Sequence, residues 1–85
     1  MPEISRFLGI VIAMYYREYE PPHFHATYGE YDAVVEIETG EVSGRLPRRA
    51  LSHVLEWYAL HKAELQEDWL RAAQRKPLAR IAPLE

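Results

Sequence analysis

The chain predicts an α+β domain: a small antiparallel β-meander of about four strands, packed on one face by one long or two shorter C-terminal helices. Three observations carry this expectation. Residues 1–46 hold β-branched and aromatic runs punctuated by glycine turns, residues 47–76 switch to apolar positions recurring every three or four residues, and residues 77–85 carry two prolines in an extended tail. Eighty-five residues make one domain, 1–85, and chains this short bury only about 60% of their unfolded surface.

The elements follow in order. Residues 9–16 are apolar throughout and rich in β-branched and aromatic side chains, which predicts a strand buried on both faces, ending before a loop over 17–22. Tyr28-Gly29-Glu30-Tyr31 and Glu38-Thr39-Gly40-Glu41 predict two tight hairpin turns, each with a glycine suited to positive φ. Pairing outward from Gly29-Glu30 sets Phe24 against Val35, Ala26 against Ala33, His25 against Val34 and His23 against Glu36. Around Thr39-Gly40 the expected partners are Ile37 with Val42, Glu36 with Ser43 and Val34 with Arg45. One face is then apolar, and the other carries His23, His25, Asp32, Glu36, Glu38 and Arg45. A slip of one residue would bury those charges.

Pro47 suits a first helical position. After it, Leu51, Val54, Leu55, Tyr58, Leu65, Trp69 and Ala72 form one helical stripe that Lys76-Pro77 ends. A break near residues 61–64 would divide it into two helices. His53, Trp57, Leu60 and His61 make a second flank that needs a cover: a folded-back helix, the tail, or another subunit. The first strand, an edge in a four-strand meander, raises the same need. Both point to a homodimer or a protein partner, with Trp57 and Leu60 as interface residues.

Composition excludes several classes. There is no cysteine, so neither disulfides nor thiolate-bound zinc support the core, and a cytoplasmic location is expected. The longest apolar run, residues 8–16, is about half of a membrane span, and no membrane association is expected. The net charge is −3. Seven acids and no base lie between residues 18 and 41, so nucleic acid is not the favoured partner despite several exposed-type tyrosines and arginines.

The densest chemistry is Pro21-Pro22-His23-Phe24-His25-Ala26. Alternate residues of a strand share a face, so both imidazoles project together. With Glu36 opposite His23, the pair offers nitrogen and oxygen ligands for a divalent metal such as zinc or nickel. It equally offers an acid–base pair, in which His23 and His25 would work with Arg17 and Tyr15 as catalytic residues, or a plain solvated sheet face. Arg45, Arg48 and Arg49 cluster after the acidic stretch and, near free helix N-terminal amides, are candidates to hold an anion or a partner's carboxylate.

The opening Met-Pro-Glu-Ile-Ser-Arg-Phe, the Gly-Ile-Val-Ile run ending in Met14-Tyr15-Tyr16, Pro-Pro-His-Phe-His-Ala, and Leu46-Pro47 leading into Val54-Leu55-Glu56-Trp57 together resemble a bacterial family known as domain of unknown function 4160. The likeness extends through Glu64-Leu65, Trp69 and the closing Ile81-Ala82-Pro83-Leu84. The resemblance implies a small stand-alone protein, often encoded beside another short protein in a toxin-antitoxin-like arrangement, and it carries no established active site. The expected function is a component of such a two-protein module, acting through contacts with a small cognate protein. The alternative is a small hydrolase or ribonuclease using His23 and His25, with or without a metal.

Overall fold

The computed structural model describes residues 2–16 and 20–84. Five strands, β1 (Glu3–Phe7), β2 (Ile10–Ala13), β3 (His23–Tyr28), β4 (Tyr31–Glu36) and β5 (Val42–Arg45), precede one helix, α1 (Arg48–Ala73). All neighbouring strands are antiparallel and the order in the sheet is the order in the chain. The α+β meander with C-terminal helix is therefore present, with one strand more than expected.

The additional strand arises at Leu8-Gly9. Phe7 pairs with Ile10 across these two residues, and both have positive φ, 51° and 81°, as a two-residue turn matched to strand twist requires. The chain therefore folds back inside what reads as one apolar run. β2 is interior, lying between β1 and β3, which corrects the expectation that residues 9–16 form an exposed edge. The outer strand β1 bulges between Glu3 and Ser5, and the Ile4 carbonyl accepts the backbone N–H of Ile81 from the tail at 2.8 Å.

The β3–β4 register is the expected one, with His23 opposite Glu36, Phe24 opposite Val35 and Tyr28 opposite Tyr31. The β4–β5 register is displaced by two residues. Val42 faces Val35, Ser43 faces Val34 and Arg45 faces Asp32. Ile37 is withheld from that ladder because its N–H donates to Pro22 O at 2.9 Å and its carbonyl accepts the Tyr58 hydroxyl at 2.6 Å. The turn consequently spans 37–40, closed by Glu36 N–H to Glu41 O and Gly40 N–H to Glu36 O, both 2.9 Å. An even displacement keeps each side chain on its expected face.

Helix and tail cover one face of the sheet. Ile10, Ile12, Phe24, Ala26, Ala33, Val35 and Ile37 meet Ala50, Val54, Trp57 and Leu65 of α1 and Ile81 of the tail in one core. Trp57 is fully buried. Its ring lies 5.5 Å from Phe7 and 5.7 Å from Phe24, and its indole N–H donates to Ala82 O at 2.8 Å. Trp57 therefore cannot be an interface residue, and the flank that needed a cover is closed by the tail, while Leu60 stays exposed. The two arguments for self-association through Trp57 or the first strand fall with these contacts.

Pro47 is the N-cap residue rather than the first helical one. α1 runs unbroken except at His61, whose φ/ψ of −123°/23° marks a kink, so the one-helix and two-helix expectations meet in a bent helix. It ends at Ala73, three residues before the expected limit, because Arg75 takes φ +58° and Lys76 N–H returns to Arg71 O at 2.8 Å. This is a left-handed closure of the kind glycine usually provides.

Candidate functional site

Strand alternation leaves the second sheet face without a helix except at one end, where α1 reaches His23. Along it, cross-strand neighbours form two rows: Arg6, Val11, Thr27, Asp32 and Arg45, then Glu3, Ala13, His25, Val34 and Ser43. Val11, His25 and Val34 are half-buried, whereas Arg6, Thr27, Asp32, Ser43 and Arg45 are exposed. The face thus has an apolar middle and a charged rim.

At one end of this face the histidines are held in a row of rings. Tyr15 meets His25 edge-on at 4.6 Å between centroids, His25 meets His23 at 5.3 Å, and His23 meets Trp69 of α1 at 5.3 Å. Such tilted and edge-to-face contacts are the favourable geometries for rings. The Pro21 carbonyl lies 2.8 Å from His23 Nδ1. A carbonyl only accepts, so Nδ1 carries the proton and Nε2 is the basic nitrogen of the neutral ring. The Trp69 indole N–H donates to Glu20 at 3.4 Å, tying the helix beyond its kink to the segment before β3.

The structure brings Tyr15, His23 and His25 together and places Trp69 and Glu20 beside them. Trp69 belongs to the apolar stripe of the helix, and only the kink and the docking of α1 show that its ring reaches His23. Arg17 lies outside the described residues. Glu36 is beside His23 in register, and one of its oxygens accepts from the Thr39 hydroxyl at 3.5 Å. Among the described residues no three His, Asp or Glu side chains converge to hold a metal ion, so His23, His25 and Glu36 are neighbours without being an assembled ligand set.

Arg45 stands on the helix-free face opposite Asp32. Arg48 and Arg49 are exposed in the first turn of α1, which has neither an acidic residue nor a side-chain cap. Arg49 lines a cavity of about 320 Å³ with Leu8, Tyr28, Pro47, Ala50 and His53, on the helix side of the sheet. Any anion site there would lack Arg45.

Among the described residues two acidic groups, Glu3 and Asp68, have shifted protonation, both beside the tail. Glu3 is held down to about 2 by hydrogen bonds from Arg6 and then Arg80. Burial pushes Asp68 upward, against the opposing hydrogen bond from Ala79 N–H, which its Oδ1 accepts at 2.9 Å. Its Oδ2 is buried without a partner. Sequence reasoning missed both: the Glu3 shift comes first from Arg6 in the same strand and then from Arg80 of the tail, and that of Asp68 from its burial where the tail packs. Among the described residues no helix is long and apolar enough to cross a membrane.

Residues 9–70 match the family model described as "Domain of unknown function (DUF4160)". No curated protein and no solved structure matches the chain.

Proposed function

Starting from the fact that this chain belongs to the domain of unknown function family DUF4160, we propose that it is the binding member of a toxin-antitoxin-like two-protein module and docks its cognate protein on the helix-free face of its sheet. The observation that carries this reading is the one-sided cover. Helix and tail seal one face, and the opposite face keeps half-buried Val11, His25 and Val34 inside a rim of Arg6, Asp32 and Arg45. An apolar centre with a polar rim is the ordinary anatomy of a protein interface. The two-protein arrangement itself rests on the family resemblance.

Co-expression with the product of the adjacent gene, followed by light scattering on the eluted complex, tests this. The expected result is a stable complex that Val34→Arg weakens at least about tenfold, since it places a charge in the desolvated centre. Failure to form a complex, or a complex indifferent to Val34→Arg, would overturn the reading.

A second reading is favoured by the Nδ1 contact of His23 with Pro21, which orients Nε2 as a base or a ligand. In it, His23 and His25 act as an acid–base pair in a small hydrolase or ribonuclease, with or without zinc or nickel. Zinc titration of the wild type beside a His23→Ala, His25→Ala double variant examines the metal part, and equal binding by both proteins would remove it.

A further inference from the structure

The two edges of the sheet are treated differently. At β1 the tail returns, with Ile81 N–H on Ile4 O and Arg80 on the Glu3 carbonyl and carboxylate at 3.2 and 3.1 Å. At β5, among the described residues, no element returns. The Glu36–Glu41 bond makes that pair hydrogen-bonded, so by antiparallel alternation Ser43 and Arg45 turn their backbone groups toward β4, and Val42 and Gly44 turn theirs outward. Among the described residues, no turn, loop or tail backbone bond reaches Val42 or Gly44. Gly44 is exposed, and a Cβ there would stand 2.7 Å from Asp32 O, so the position is restricted to a residue with no side chain.

We infer that this edge pairs with β5 of a second copy of the chain, antiparallel about a two-fold axis at Ser43, joining two sheets into one. Two independent features select that register. The outward backbone groups require pairs drawn from Val42 and Gly44, and an axis at Ser43 sets each Val42 against Gly44 of the second copy. The same axis sets each Glu41 against Arg45 of the second copy, in the non-hydrogen-bonded positions where opposite side chains approach most closely. Glu41, Ser43 and Arg45 are exposed, so these charges are available, and the symmetry uses each pair twice. Moving the axis to Gly44 would keep the backbone pairing and lose the charge match.

The apolar rim beside the edge agrees. Leu51 and Leu55 share a helical stripe with Tyr58, which bonds Ile37 O, and with Lys62, which bonds Glu38 O at 3.1 Å. That stripe therefore faces the β4–β5 side. With Val42, both leucines are only partly buried against the core, and a second sheet would extend their cover. The pairing runs along the free edge of β5, whereas docking on the helix-free face centres on Val11, His25 and Val34; the two share Ser43 and Arg45 at their border, and self-association of the isolated chain reads the edge alone.

Sedimentation equilibrium of the full chain provides the test. The wild type is expected to dimerise, and Glu41→Arg and Arg45→Glu to raise the dissociation constant about tenfold each, because symmetry doubles every repulsive pair. Mixing the two single variants should restore a dimer, since all charges then meet opposites, and the Glu41→Arg, Arg45→Glu double variant should dimerise like the wild type. Ser43→Asp, which brings two like charges to the axis without altering the Glu41 or Arg45 positions, should weaken the dimer. A wild type that stays monomeric, or single variants that associate as tightly as the wild type, would overturn the inference.

Discussion

At the residue scale, Leu8 and Asp68 each break a local rule. Leu8 takes φ +51° in a turn that favours asparagine and glycine, and its side chain is exposed. Leu8→Asn should therefore raise stability by about 0.5–1 kcal/mol, measured by urea unfolding. The same break hid β1, because Leu-Gly lacks the turn chemistry that marked Gly29-Glu30. Asp68 is buried with one oxygen unpartnered, beside Glu64, Glu67 and Arg71. Its folded pKa is raised, so between the ordinary aspartate value of 3.8 and the raised one the folded state holds more protons than the unfolded. Stability should fall as pH rises through that window. Asp68→Asn keeps an acceptor for Ala79 N–H and cannot ionise, so it should flatten this fall; equal slopes for the two proteins in unfolding experiments would contradict the assignment.

At the element scale, the tail behaves as a seventh structural element beside the five strands and the helix. Its attachment by Ile81 and Ala82 to the core side, and by Arg80 to Glu3, makes the tail, one of the three covers expected for the second flank of α1, the one that covers Trp57. Glu3 is depressed to about 2, so its contribution is complete above the ordinary glutamate value of 4.5 and is lost as pH falls from there toward 2. Arg80→Ala should shrink that acid-side loss and loosen the tail, read as faster amide exchange at Ile81. The β3–β4 pairing was legible because Gly29 fixes it locally and alternation does the rest. The β4–β5 register was not, since it depends on Ile37 being captured by Pro22 and Tyr58, contacts remote in sequence. The kink at His61 lies within the interval that the length of the stripe suggested, though neither proline nor glycine marks it.

At the scale of the whole molecule, the core forms on one side of the sheet and chemistry collects on the other. The histidine row was legible as a pair, because alternation places His23 and His25 together on any strand; its extension to Tyr15 and Trp69 required the tertiary fold. Burial of Trp57, by contrast, could not be read from a helix whose two flanks look alike until the tail is placed. The division into a sealed and an open face makes the proposed docking of a cognate protein measurable. Titrating the isotope-labelled chain with the adjacent-gene product and following backbone amide resonances should perturb Val11, Thr27, Val34 and Ser43 on the open face, leaving Val54, Leu65 and Ile81 unmoved. Perturbations confined to α1 and the tail, or none at saturating partner, would contradict docking on the helix-free face.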